Sequence, residues 1–377
     1  MKVLHLPVNI SSQISCTVRA LRSIGVEAHG LVRRSSVIQD SGELECVDWI
    51  GGLRPIARLI RGIRWRSKLL RRVNWADVIH WHWGDTTWRG LDLRYIAWRK
   101  KPRLIEFWGD DLRQSQIASR DNSFLNAMYA KDPTRAVDRG AEAQTLFRKH
   151  GFDCLIPGYE LADYLRPDLF TGYYQTRPRL MLEDYIPKFP EASNRKPLLV
   201  HAPSETTVKG TDAVLAAVAE VSRDQSFDFR LIHNLPRAQA LEVVASCDVF
   251  LDQFVLGCEG LAALEAMALG KPVVCFIKPS LMPRYPSGLP IIVADQNTLS
   301  DAIRDLVQDG ARRRDAGIRS RNYVEEHHDA RKVAAELKEI YADVLSATKI
   351  AGDSQSVLRN RHWHTVEERA RLAEGVT

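Results

Sequence analysis

Gly260-Leu-Ala-Ala-Leu-Glu-Ala-Met-Ala-Leu-Gly-Lys-Pro-Val-Val274 is the segment that sets the fold class of this chain. Leu261, Leu264 and Met267 recur at three-residue steps and Ala268 widens the stripe, which predicts a helix with one buried face. Gly270 is a helix stop, and Pro272 just beyond it cannot continue the helix. The run Val273-Val-Cys-Phe-Ile277 that follows predicts a buried strand. Glu265 is the one carboxylate within this otherwise apolar helix, and a buried carboxylate needs a partner. A ligand hydroxyl would serve.

The same helix–strand alternation extends in both directions. Upstream, strands are predicted at Val249–Asp252, Phe229–His233 and Pro197–Ala202, with helices at Arg237–Ser246 and Asp212–Val221 between them. Downstream, Leu299–Gln308 and Arg319–Ser346 read as helices. The first part of the chain repeats the pattern. Strands are predicted at Val3–Pro7, within Gly25–Val32, and at Asp77–Trp81, Arg103–Phe107 and Phe152–Ile156, with a helix near Ser12–Ile24. Strands alternating with helices imply parallel, doubly wound sheets, whose ligands bind at the strand C-termini. A chain of 377 residues is too long for one ordinary core. We therefore expect an α/β protein of two Rossmann-like parallel-sheet domains facing a central cleft: 1–170, a proline-rich linker 171–197, and 198–346. A helical C-terminal extension, 347–377, would follow.

Composition excludes several classes. No apolar run approaches the length of a membrane span. The start, Met1–Asn9, predicts a first strand rather than a signal peptide. The 6 cysteines are scattered without a CxxC pair, which argues against a zinc site or disulfide framework and fits a reducing cytoplasm. The net charge of +6 is concentrated. Residues 54–72 carry Arg54, Arg58, Arg61, Arg64, Arg66, Lys68, Arg71 and Arg72 and no acid, while Ile56, Leu59, Ile60, Ile63 and Leu70 fall near one helical stripe. A basic amphipathic helix suits an anionic membrane surface, on the inner face of a cytoplasmic membrane; a solvated helix with its apolar side on the core fits equally well. Nucleic acid is disfavoured, because no nucleic-acid motif accompanies the charge.

Chemistry-bearing residues gather after strands. Ser204-Glu-Thr-Thr-Val-Lys209-Gly210 lies between a strand and a helix, where the Lys209 ammonium can neutralise a phosphate and the helix start offers N–H groups to the same anion. Neither a Walker loop nor GxGxxG is present. Lys209-Gly210, then Asp248–Asp252, then Gly260-Leu261 with Glu265–Val274, occur in the order seen in retaining, nucleotide-sugar-dependent glycosyltransferases of the GT-B fold. The chain resembles their bacterial family-four type over about residues 1–346, the C-terminal half more specifically.

The resemblance implies roles. Glu265 would accept the donor's ribose hydroxyls. Lys209 would bind the diphosphate and stabilise the leaving group, supported by the amides of Gly260 and Leu261. Ser204, His201, Asn234, Leu235, Asp252 and Glu259 would complete the donor site; Asp110 or Asp111 would orient the acceptor hydroxyl beside Asn9, His82 and Trp108. The donor would be a UDP- or GDP-sugar, the acceptor a surface glycan or lipid-linked sugar, with no metal or other cofactor. Departures from the family pattern are Gly257 where a sugar-binding glutamate is usual, Ser204 where an arginine is common, and Trp108 in place of a histidine. They leave two alternatives open: a non-catalytic relative that binds nucleotide, glycan or a partner protein, and a sugar-nucleotide epimerase.

Overall fold

The computed structural model describes residues 1–33, 42, 44–47, 55–87, 90–136, 139–233, 235–349 and 362–363. The chain forms two compact units that interleave along the sequence. Unit 1 comprises Met1–Ile117, Val137–Arg179 and Ala330–Thr377; unit 2 comprises Ala118–Ala136 and Leu180–Asp329.

Unit 1 is built on β1 (Lys2–Pro7), β2 (Glu27–Val32), β3 (Glu45–Cys46), β4 (Val78–His82), β5 (Arg103–Glu106), β6 (Asp153–Ile156) and β7 (Gly172–Gln175). These pair in parallel in the order β7-β6-β5-β4-β1-β2-β3, and His362–Trp363 adds an antiparallel edge beside β7. Strands covered on both faces read as apolar runs: Val3, Leu4, Leu6, Ile79, Trp81, Leu104 and Ile105 are all fully buried. The order reverses between β1 and β4, the switch point at which doubly wound sheets open a crevice.

Unit 2 carries β8 (Leu198–His201), β9 (Asp228–Leu231), β10 (Val249–Leu251), β11 (Val273–Cys275) and β12 (Ile292–Val293), all parallel, in the order β12-β11-β10-β8-β9. Its core joins Leu199, Val249, Leu251 and Val274 to Val214, Leu299 and Ile303 from the flanking helices. Here the switch point lies between β8 and β10, the strands that precede Lys209 and Asp252.

The helix expected over Arg319–Ser346 is two helices, Gly310–His327 and Ala330–Lys349, broken where Leu180 pairs with Asp329. The second belongs to unit 1, where it packs on the helix Gln13–Ser23 and buries Tyr341. The predicted helical extension ends at Lys349; His362–Trp363 is a strand, and the remainder of that segment lies outside the described residues. Residues 118–136 join unit 2. Asn122 caps the helix Ser123–Lys131 with its carbonyl oxygen and donates its amide to Val255 O (2.7 Å) and Leu256 O (3.2 Å).

The basic helix spans Pro55–Trp75. Its packed side is not the predicted stripe. Trp65, Leu69 and Val73, at i, i+4 and i+8, are buried, whereas Leu59, Ile60 and Ile63 are 65%, 48% and 56% exposed and Leu70 is also exposed. The side chain of Ile56 and all of Arg54 lie outside the described residues. Three cations of the last turns converge on Glu45: Arg72 at 2.7 Å, Lys68 at 3.3 Å and Arg71 at 3.5 Å.

Candidate functional site

In unit 2 the chain leaves β8 into a short capped helix, Thr206–Lys209. Glu205, which sequence reasoning passed over, is its N-cap: the carboxylate accepts from Thr207 N and Val208 N and pairs with Arg135 at 3.0 Å. A carboxylate on orphan N–H groups fixes a helix start, and it does so one turn from Lys209. Ser204 is exposed and takes no such part.

The Lys209 ammonium donates to Gln253 Oε1 (2.6 Å) and pairs with Asp252 Oδ1 (3.3 Å). Asp252 follows β10 immediately, and its other oxygen accepts the Gly260 N–H at 2.7 Å. The carboxylate thus ties the lysine to the start of the helix Leu261–Ala268. It also takes up the Gly260 amide that was expected to face the ligand. A Cβ on Gly260 would stand 2.6 Å from Lys209 Nζ and 3.1 Å from Asp252 Oδ1, so the glycine leaves room for this approach.

Glu265 lies one turn further on, half-buried as its place in the helix suggested. Its partners in the structure are the Tyr185 hydroxyl, donating at 3.0 Å, and the Arg237 guanidinium, which also bonds Tyr185 Oη at 2.7 Å. Burial opposes the Arg237 charge, but Glu265 outweighs it and raises the arginine's pKa. Arg237 opens the helix after β9; an arginine at a helix start after a strand is too common a pattern to have marked it. Glu259 accepts from Tyr285 Oη. His201 is fully buried, its ring bonded to Leu251 O (2.8 Å) and Thr211 Oγ1 (3.0 Å), so it braces β8 against β10 instead of meeting a diphosphate. Leu235 is half-buried, and Asn234 lies outside the described residues.

Unit 1 separates the two aspartates that sequence left together. Asp110 is exposed and pairs with Arg113 at 3.2 Å. Asp111 is buried, its Oδ1 accepting from Trp108 N (3.0 Å) and Gly109 N (2.8 Å), while its Oδ2 is buried with no hydrogen-bond partner. Burial pushes its carboxyl up to about 7, and the two backbone amides hold it from going higher. A carboxyl poised near neutrality is the property a proton-handling group needs.

Asn9 and His82 are committed elsewhere. Asn9 Oδ1 accepts from Ile14 N (2.9 Å) and Ser15 N (3.2 Å), which caps the first helix. His82 belongs to a buried hub. His5, His80 and His82 share one face because β1 and β4 pair in register, His5 beside His80. His82 bonds His5 at 3.0 Å and its Nδ1 stands 3.1 Å from a Glu106 oxygen; His80 bonds Tyr341 Oη at 2.7 Å and its Nε2 stands 3.2 Å from the same oxygen. Arg179 grips both Glu106 oxygens at 2.8 and 2.6 Å, and Trp108 Nε1 donates to His82 Nδ1 at 3.3 Å. Three histidine nitrogens therefore come within 4.8 Å of one another, a cluster the spacing in sequence had not suggested. The Arg179 guanidinium on Glu106 places a positive charge beside these rings, and His5 Nε2 and His80 Nε2 are buried without a hydrogen-bond partner.

No protein-family model matches the chain, and no curated protein sequence does. Solved structures match its fold. A sucrose-phosphate synthase from Thermosynechococcus elongatus superposes with a TM-score of 0.64 at 12% identity, covering 92% of this chain and 100% of that one. WaaG, a glycosyltransferase involved in lipopolysaccharide biosynthesis, gives 0.53 at 14% identity over 90% and 99%. Anabaena Alr3699/HepE in complex with UDP gives 0.51 at 14% identity over 91% and 100%. The fold is therefore GT-B, with two Rossmann-like parallel-sheet units.

Proposed function

We propose that this chain is a glycosyltransferase that moves a sugar from a nucleoside-diphosphate donor, UDP- or GDP-linked, to a glycan or lipid-linked acceptor, with retention. The observation that carries the reading is the arrangement at the unit 2 switch point: Lys209, Asp252 and Gly260 in mutual contact, with Glu265 on the helix that Gly260 opens. A departing nucleoside diphosphate gathers negative charge, and a preorganised ammonium beside a helix N-terminus meets that need. Glu265 would exchange Arg237 and Tyr185 for ribose hydroxyls. In unit 1, Asp111 would hold the acceptor hydroxyl through Oδ2, the buried oxygen that has no partner of its own. The GT-B fold, shared with the glycosyltransferase WaaG and with HepE in complex with UDP, supports the same class of chemistry.

A thermal-shift series with UDP, GDP, ADP and their glucose or mannose conjugates tests the reading, since a ligand bound only to the folded state raises its stability. At a concentration 100-fold above Kd the expected gain is about 2.7 kcal/mol. No shift with any of them would sink the proposal. Binding without transfer would leave a nucleotide-binding relative, and interconversion of sugars without acceptor would indicate an epimerase.

The basic helix supports a place for the reaction. Leu59, Ile60 and Ile63 stand in solvent next to Arg64 and Arg66, with no acid in 54–72. Apolar side chains flanked by arginines match an anionic bilayer, where each cation near the surface contributes about 1 kcal/mol. Among the described residues no helix is long and apolar enough to cross a membrane. The protein should co-sediment with vesicles containing phosphatidylglycerol, release in high salt, and ignore neutral phosphatidylcholine. The double variant Ile60→Glu/Ile63→Glu should lose binding; equal retention on both vesicle types would refute the surface.

A further inference from the structure

We infer that Lys278 recognises a carboxylate on the sugar of the donor, so that the sugar transferred is a hexuronic acid or a similar acidic sugar. The inference rests on unit 2 being the nucleotide-sugar site, and it starts from a lysine whose situation is anomalous. Lys278 follows β11 with its stem buried, the residue being only 6% exposed, while its ammonium reaches solvent and has no hydrogen bond or ion pair with any described residue. The other buried cations of unit 2 are all bonded. Lys271 donates to Lys188 O, Arg313 to Leu306 O, Val307 O and Asn194 O, and Lys209 to Gln253 and Asp252. A buried stem holds this ammonium in one place at the surface with no protein partner, which leaves it available to a ligand anion. A ligand anion supplies the missing partner.

The position of the stem says which part of the ligand that is. Lys278 N donates to Gly257 O at 2.9 Å, and its side chain lies across Gly257. Gly257 has φ +81°, and a Cβ there would collide with Lys278 Cγ and sit 3.1 Å from Cδ. Glycine is required twice over, for its backbone and for the passage of the lysine. Three residues later, Gly260 leaves the same kind of room for Lys209. Two lysines thus cross one turn, each over its own glycine, and Glu265 follows on the helix. The chain order is Lys278 over Gly257, Lys209 over Gly260, then Glu265. A nucleotide sugar has the order sugar, diphosphate, ribose. With ribose on Glu265 and diphosphate on Lys209, the sugar falls to Lys278. A neutral hexose presents only hydroxyls, whereas a carboxylate makes the charge-assisted bond that an unpaired ammonium lacks.

Isothermal titration of the full chain with matched ligands tests this. The ligands are UDP, UDP-glucose and UDP-glucuronate, and GDP, GDP-mannose and GDP-mannuronate. Within the base that binds, the acidic sugar nucleotide should bind about tenfold or more tighter than the neutral one, the margin of a hydrogen bond to a charged group. Lys278→Met should abolish that margin and leave the bare diphosphate's affinity unchanged, and Lys278→Arg should keep the preference. Equal binding of neutral and acidic sugars by the unsubstituted protein overturns the inference. So does Lys278→Met weakening the bare diphosphate as much as the sugar nucleotide, which would make Lys278 a second phosphate ligand. Failure of every nucleoside diphosphate to bind refutes the donor site itself, and this inference with it.

Discussion

Lys209→Met is expected to lower kcat for sugar transfer by roughly 10²–10³-fold, the usual effect of removing one preorganised group from a developing anion. Its effect on KM should be much smaller. The ammonium meets the diphosphate in both ground and transition states, but the charge on the bridging oxygen grows as the glycosidic bond breaks, so the contact strengthens where it accelerates the reaction. The geometry favours this outcome. Gln253 and Asp252 hold the ammonium against the turn at Gly260, so little reorganisation remains to be done when the donor arrives. Methionine keeps the length of the stem, and Asp252 retains the Gly260 N–H and a weak bond from Cys275 Sγ, so the fold should persist. Glu265→Gln provides the contrast. Ribose contacts are the same before and during reaction, so this variant should raise KM with kcat nearly preserved. Steady-state rates with the donor identified by thermal shift check both variants. Unaltered kcat in Lys209→Met would remove the lysine from the reaction.

The central strands were legible because buried parallel strands write themselves as apolar runs. Val249-Phe-Leu251 and Val273-Val-Cys275 are two of them, and each is a strand. Glu265 was legible because a lone acid in an apolar helix is visible without coordinates. What the sequence concealed follows from distance along the chain. Arg237 and Tyr185, the partners of Glu265, lie 28 and 80 residues away from it and carry no local signature. Asn122 sits in the middle of the first alternating block, and nothing local says that its amide binds the loop at Val255. The break at His328-Asp329 contains neither glycine nor proline, so periodicity ran through it and assigned Tyr341 to the wrong unit. The apolar stripe of residues 54–72 misled for a related reason. Two faces of that helix carry apolar residues, and only tertiary packing chose Trp65, Leu69 and Val73 as the inner one.

Glu106→Gln is expected to destabilise unit 1 by about 3–5 kcal/mol, because it leaves a fully buried guanidinium without its counter-charge. Arg179 and Glu106 are both 0% exposed and joined by two hydrogen bonds. Burial opposes the carboxylate's charge, but Arg179 and the imidazoles of His80 and His82 more than offset it, holding Glu106 well below the usual carboxylate range. The same hub shapes the pH response, as do His29, His150 and His201, which burial also holds below the ordinary histidine value. Burial holds His5, His80 and His82 below the ordinary histidine value, His82 down to about 3, so they stay neutral in the fold. A base whose folded pKa is depressed binds its proton in the unfolded chain first. Stability is therefore insensitive to these groups above about pH 6.5 and falls as pH drops below it, at up to about 1.4 kcal/mol per pH unit for each histidine. Glu106 adds a second loss lower down, present above its unfolded value near ~4.3 and lost as pH falls through its depressed folded value. Urea denaturation followed by circular dichroism from pH 8 to pH 5 measures the first window. The midpoint should hold steady and then decline, and His82→Phe should flatten the decline. A midpoint constant down to pH 5 would mean that the three imidazoles are not buried neutral, and would overturn the hub.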